Sequence, residues 1–277
     1  MAVAVWGASF PATRMALQSF HPLGLVAVRL LVGMVLLMLV VRRGGRSAFS
    51  VGDDTARCVF LGAVLAVHLL IQAYGLQYTS AIRTGWIIAF IPALIALGAH
   101  LVLGQRLRSI GWIGIGVAWG GVLLVTGPPE VDFAGARLGD ALQMLSGITW
   151  TVYTLAATRP IARNGSLPVT AFTMMVAALL VGPPALWTGV LSGPPTVRSL
   201  AALAFLAVLA SGLAYALWLR ALEEQGATRS GAMLYFEPFF TMSTAAVFLH
   251  ETVTWHVVLG GAVVLLGVWL VGRGAGR

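Results

Sequence analysis

The sequence predicts an all-α integral membrane protein with ten transmembrane helices, arranged as two inverted five-helix repeats. Three observations carry this expectation. The chain of 277 residues is 59% hydrophobic and 9% charged, with a mean hydropathy of +0.92. A soluble chain would be about 25% charged, so most of this surface must face lipid rather than water. The charges that exist recur at the ends of long apolar runs. Finally, the second half of the chain echoes the first at a fixed offset.

The spans follow from helix geometry. A rise of about 1.5 Å per residue means that about 20 apolar residues cross a hydrocarbon layer of about 30 Å. Ten segments fit, near 1–20, 22–41, 56–77, 80–103, 108–126, 138–157, 168–190, 199–221, 228–249 and 254–272. The first is short: 13 residues precede Arg14 and Pro11 interrupts them. Arg14 therefore marks either a helix end or a group in the solute path. Runs such as Leu30–Val41 and Leu200–Leu209 are apolar on every side, which excludes the alternating pattern of a membrane barrel strand.

Arginine placement sets the orientation. All 17 basic residues are Arg; Arg14, Arg29, Arg83, Arg137 and Arg198 fall on one side, and the other 12 on the opposite side. The richer side is expected to be cytoplasmic, which puts both termini inside. The net charge of +8 forms no single patch, so nucleic acid is not an expected partner. Cys58 stands alone and reads as a small buried hydrophobe.

Residues 76–126 laid on 222–272, an offset of 146, match at 14 of 51 positions. The informative matches are Arg83/Arg229, Gly85/Gly231, Pro92/Pro238, Gly114/Gly260 and Gly121/Gly267. Trp6 and Trp150, Arg14 and Arg159, and Pro22 and Pro168 correspond earlier in each half, with one-residue drifts. Five spans per half would insert the halves with opposite orientation, a plan shared by many secondary transporters. The expected organisation is a first repeat at 1–126, a linker at 127–137, a second repeat at 138–272 and a cytoplasmic tail at 273–277.

These residues resemble the EamA family of the drug/metabolite transporter superfamily. The first half shows Trp6-Gly-Ala-Ser-Phe10, Pro22 and Arg29, and the second shows Trp150-Thr-Val-Tyr153. The strongest stretch is Ala221-Leu222, Gly226-Ala-Thr-Arg-Ser-Gly231, Glu237-Pro238, Leu249-His-Glu251 and Gly260-Gly261. The resemblance implies two five-helix bundles around a central cavity that opens to either side in turn. It also implies movement of amino acids or related metabolites without ATP. The sequence departs from the family pattern at Gln105, where Glu is usual, at His250, where Gly is usual, and in its shorter first span.

Glu237 is the most informative candidate. It lies about ten residues into the ninth span, roughly 15 Å deep, where a carboxylate costs several kcal/mol unless paired, wet or protonated. It reads either as an amine-binding or proton-carrying group, or as a protonated acid bonded to helix backbone beside Pro238. Arg29 lies about seven residues into the second span, roughly 10 Å deep. Its planar fork suits a substrate carboxylate, and snorkelling to the outer surface is the competing reading. Measured from opposite faces, Glu237 from the cytoplasmic one and Arg29 from the outer one, these depths put the two residues within several Å in height, so they are expected to flank one site, as a pair when it is empty or as anchors for a zwitterion.

Trp6, Phe10, Gln72, Tyr74, Trp86, Trp150, Tyr153, Tyr215, Trp218 and Tyr235 are expected to line the cavity, with an interfacial aromatic belt as the alternative for each. His68 shares a helix face with Gln72 and reads as a satisfied polar contact or a proton relay. Pro92 and Pro238 are expected hinges or kinks. Gly116 and Gly120 form a GxxxG expected to pack within the bundle.

Enzyme signatures are absent. His250-Glu251 begins like a zinc-protease motif, but Thr254 stands where the second His belongs. No Walker loop, GxSxG elbow or paired carboxylates on one helix face occur, and no cofactor or metal is expected. Asp53 and Asp54 read as a solvated turn in the longest cytoplasmic linker, 43–55.

The expected function is a secondary transporter or facilitator at the cell membrane, the inner membrane in a bacterium. It would move small organic metabolites, amino acids or their relatives, by alternating access, with export the expected direction. Its partners would be a small-molecule substrate and membrane lipid. Proton coupling and either a monomer or a homodimer are compatible with it. A lipid or cationic-drug exporter, or a non-transporting membrane protein, is the alternative.

Overall fold

A computed structural model describes residues 1–44, 51–127 and 135–274, apart from the side chains at 103 and 228. Arg46, Arg277 and most of the 127–137 linker and 273–277 tail lie outside the described residues. The helices are α1 Ala2–Ala16, α2 Pro22–Arg43, α3 Thr55–Tyr78, α4 Ala81–Ile88, α5 Ile91–Leu103 and α6 Ser109–Thr126. They continue as α7 Ala136–Asn164, α8 Ser166–Thr188, α9 Val197–Phe205, α10 Ala214–Ala232, α11 Glu237–Leu249 and α12 Trp255–Gly274. A π-helical stretch, Leu206–Leu213, joins α9 to α10, and a 3₁₀ turn, Met233–Phe236, leads into α11. Among the described residues the only pairing of extended backbone is one bridge between Phe20 and Leu191.

Eight helical stretches among the described residues are long and apolar enough to cross a membrane: Pro22–Arg43, Gly52–Tyr78, Ala81–Val102, Ser109–Thr126, Ser166–Thr188, Val197–Ala227, Arg229–Leu249 and Trp255–Gly274. Their outward faces carry Leu101, Leu179, Leu186, Trp187 and Val247, all more than 60% exposed. A surface so apolar needs lipid around it, and the chain is a multi-pass membrane protein. Two expected spans do not qualify. α1 has 15 residues, short of the length a bilayer needs. α7 has 29, but it buries Asp140, Gln143, Ser146, Thr151 and Thr154. Both are nonetheless held inside the bundle, α1 against α11 and α7 against α3.

Helix boundaries follow local chemistry. Ser80 caps α4 by accepting the Arg83 backbone N–H at 3.1 Å, and Thr196 with Ser199 forms a capping box at α9. The expected span 80–103 is two helices, broken at Ala89–Phe90. Pro92 is the second residue of α5 and Pro238 the second of α11, positions where a missing N–H costs little. The breaks thus precede the prolines, which start new helices rather than kink continuous ones. Gly226 (φ 78°) breaks α10, so a new helical run begins at Ala227.

The most intimate contact is the crossing of α6 and α12. A β-carbon added at Gly114 would lie 2.5 Å from the Gly267 carbonyl oxygen, and one at Gly121 would lie 2.8 Å from that of Gly260. The expected GxxxG pair takes no part. Gly116 and Gly120 face open space, because the packed stripe runs Gly111, Gly114, Ala118, Gly121, Val125. Asp54 also departs from expectation. Asp53 is exposed, but Asp54 is buried and takes Arg57 at 2.8 Å, Asn164 at 3.1 Å and Arg163 at 3.4 Å, tying the start of α3 to the end of α7.

Candidate functional site

The buried polar residues converge on one central cavity. α1 contributes Trp6, Ser9 and Phe10, which share a face at helical spacing. α2 contributes Arg29, α3 contributes His68, Leu69 and Gln72, α7 contributes Trp150 and α10 contributes Tyr215. The two helix breaks complete it, with Ile88 and Ile91 from the first and Leu234 and Glu237 from the second. Under the 146-residue offset these are equivalent pairs, 88 with 234 and 91 with 237, so both halves present the same backbone to the cavity and only one presents a charge.

The cavity is narrow. Every lining residue is buried, and the space open to the centre of a water molecule is about 30 Å³. That admits on the order of two water-sized spheres. A metabolite the size of an amino acid fits only if the walls part.

Arg29 is 2% exposed and donates from Nε to Ser211 Oγ at 2.9 Å. It does not snorkel: the partner lies within the bundle, on the π-helical stretch. The same stretch fixes Trp6, whose Nε1 donates to the Ala210 carbonyl at 3.0 Å. π-Turns often mark functional positions, and this one orients two cavity walls from adjacent residues. Glu237 opens α11 directly after the 3₁₀ turn. Among the described residues its carboxylate accepts no hydrogen bond and has no cation within 4.0 Å. The expected Arg29–Glu237 ion pair is not formed. Both groups line the cavity, each short of a counter-ion.

His68 is satisfied as expected, its Nδ1 3.0 Å from the Ser146 carbonyl and 3.2 Å from Thr149 Oγ1. A carbonyl can only accept, so the proton sits on Nδ1. Trp150 centres an aromatic cluster, stacked on Tyr153 at 5.4 Å and within 5.7 Å of Trp6, Tyr215, Trp218 and His68.

Five expected cavity residues do not line it. Tyr153 is fully buried beside Thr173 Oγ1 at 3.4 Å. Trp218 backs Trp6 and Trp150. Trp86 lies flat on α12, where a β-carbon at Gly261 would come within 2.7 Å of its ring. Tyr235 donates its hydroxyl to the Val268 carbonyl at 3.1 Å. Tyr74 packs against His21, with ring centroids 6.3 Å apart. Ser9, Leu69, Ile88, Ile91 and Leu234 line the cavity without having been singled out. The pairing of 91 with 237 across the repeat was the available signal for Ile88 and Leu234.

A family model described as the EamA-like transporter family matches residues 1–127 and 137–273. An uncharacterized transporter of Archaeoglobus fulgidus is 28% identical over 96% of this chain and 93% of its own. The uncharacterized transporter YdeK of Bacillus subtilis is 28% identical over 96% and 92%. A probable terminal-alkyne amino-acid exporter of Streptantibioticus cattleyicolor is 26% identical over 99% and 91%. One solved structure shares the fold with a TM-score of 0.75 at 19% identity, covering 99% of this chain and 94% of the other. With a family match running through both halves, the chain belongs to the EamA-like transporter family.

Proposed function

We propose that this transporter moves small zwitterionic metabolites, amino acids or their relatives, outward across the cell membrane by alternating access. The observation that carries the reading is the narrow buried cavity that holds Arg29 and Glu237 together without an ion pair. A carboxylate can meet the Arg29 fork while an amine meets Glu237, so one solute supplies both missing counter-ions. Aromatic walls from Trp6, Phe10, Trp150 and Tyr215 enclose its apolar part. The exporter relative, whose printed name specifies an amino acid, favours the same class.

The same reading takes the chain as ten membrane helices in two inverted repeats, 1–126 and 138–272, with α1 and α7 as their first helices and both termini cytoplasmic. The α6–α12 crossing supports it. Gly114 meets Gly267 and Val271, while Gly260 meets Gly121 and Val125; Gly121 meets Val264, while Gly267 meets Ala118. Each contact becomes another under the 146-residue exchange, as a two-fold axis requires. The helix ends agree, since α5 closes on Gly104 (φ 67°) and α11 on its counterpart His250 (φ 54°). A non-glycine residue in that conformation is uncommon.

Purified protein in liposomes tests the function. Counterflow of labelled amino acids is expected, and Glu237→Gln and Arg29→Leu are each expected to abolish it. Undiminished flux in both variants refutes the assignment, and a lipid carrier would give no soluble flux at all. A bound solute at 100 times its Kd should also stabilise the fold by about 2.7 kcal/mol.

A further inference from the structure

The α6–α12 crossing ends in an open groove of about 690 Å³, walled by Arg108, Ser109, Ile110 and Arg273. One arginine stands immediately before α6 and the other in the last turn of α12. The fold brings them to one place. The Arg108 N–H bonds the Gly274 carbonyl at 2.9 Å. A β-carbon on Gly274 would lie 2.3 Å from the Gly111 nitrogen, so the two backbones touch and both arginines share the groove's walls.

No acid balances this charge. Among the described residues neither Arg108 nor Arg273 has a carboxylate within 4.0 Å, and neither does Arg106 two positions earlier. Other arginines at the arginine-rich end are partnered: Arg57 and Arg163 meet Asp54, and Arg220 meets Glu224. Arg273 is also positioned. Its guanidinium carbon lies 4.1 Å from the centroid of the Trp269 ring, a cation–π contact that holds the group without engaging an acid.

Beside the groove the surface turns apolar. Trp112 and Ile113 lie about one turn further along α6, and Trp269 and Leu266 about one and two turns back along α12, all four exposed. The 18 residues of α6 rise about 27 Å, which places Arg108 just outside a hydrocarbon layer of about 30 Å and these apolar side chains within it.

We propose that this groove binds an anionic phospholipid of the adjoining leaflet, with its phosphate between Arg108 and Arg273 and an acyl chain along the exposed α6–α12 face. Arginine forks match phosphate oxygens bidentately, and basic clusters at the membrane boundary attract anionic headgroups. The apolar face beside the groove selects a lipid over a free anion, since only a lipid carries both parts. The bound lipid bridges two helix ends and so reinforces the crossing between them. The proposal depends on neither the central cavity nor the direction of transport.

Native mass spectrometry of the whole protein with phosphatidylglycerol or phosphatidylcholine counts bound lipid, and heat unfolding in detergent reads its effect on stability. Phosphatidylglycerol should bind more tightly and raise the unfolding midpoint more. Arg108→Gln combined with Arg273→Gln should weaken phosphatidylglycerol binding about thirtyfold, as removal of two basic residues beside an anionic headgroup implies. Arg42→Gln combined with Arg43→Gln removes the same charge from the exposed end of α2, which packs chiefly on α8, and should weaken it by less than about threefold because distant surface charge is screened. Equal losses in the two double variants would assign the attraction to general surface charge and overturn the proposal. Equal binding of the two lipids would overturn it as well. Glycerol phosphate that raises the wild-type midpoint as much as phosphatidylglycerol would reveal an anion site with no lipid specificity, a third refuting result. If losing the Trp269 contact destabilises the lipid-free double variant, Arg108→Gln alone carries the test, with about a fivefold loss expected and an unchanged affinity refuting.

Discussion

Gly114 and Gly116 are two residues apart on one helix, and alanine should act on them in opposite directions. A β-carbon at Gly114 would sit 2.5 Å from the Gly267 carbonyl oxygen and 2.6 Å from the Val271 nitrogen, whereas side-chain carbons essentially never approach within 3.0 Å. Both obstacles are backbone, so no side chain can swing aside, and α6 and α12 must separate by about 0.5 Å. A radial gap of about 0.5 Å forfeits roughly a quarter of each dispersion contact, here along a crossing that also includes Ala118, Gly121 and Val125. Overpacking of this kind costs about 1–3 kcal/mol. At Gly116 nothing lies within 4 Å, and replacing glycine in a helix gains up to about 1 kcal/mol. Thermal unfolding of the detergent-solubilised protein should therefore place Gly114→Ala well below Gly116→Ala. About 2–4 °C per kcal/mol is the expected scale for chains somewhat smaller than this one. Gly260→Ala, the repeat counterpart of Gly114→Ala, should fall by a similar amount. Equal midpoints for Gly114→Ala and Gly116→Ala would refute the packing argument.

Two more substitutions probe the polar interior. Ser211→Ala removes the hydroxyl that holds Arg29, so solute affinity measured by heat stabilisation should fall several-fold while Ser211→Thr retains most of it; equal affinity in all three proteins contradicts the role given to the π-helical stretch. Asp54→Ala should lower the unfolding midpoint clearly more than Asp53→Ala, since Asp54 is 1% exposed and bonded to three side chains, whereas the Asp53 side chain is 91% exposed and holds one pair at 3.6 Å.

Backbone symmetry gives matched helix breaks, matched left-handed caps and an exchangeable glycine crossing. Glu237 lines the cavity where its counterpart under the offset is Ile91, and Glu251 accepts two backbone N–H groups of α4 where the counterpart of Glu251 is Gln105.

The sequence by itself determined the solvent, the helices and the internal period. Those are properties of local composition and spacing: scarce charge demands lipid, apolar runs of about 20 residues demand helix, and an offset of 146 survives any folding. It also placed Arg29 and Glu237 at matching depths, because rise per residue converts number into height. Only the tertiary structure decided which faces turn inward. Depth arithmetic gives no azimuth, so Trp86, Tyr153, Trp218 and Tyr235 were expected in the cavity and stand behind it, while Ile88 and Leu234 line it. Gly116 and Gly120 carried the familiar spacing, yet the crossing uses Gly114 and Gly121, since a glycine's value lies in what approaches it. Asp54 read as a turn residue until α7 arrived from 110 positions away to bury it. Contacts between distant segments choose among local options that the chain, read alone, leaves equal.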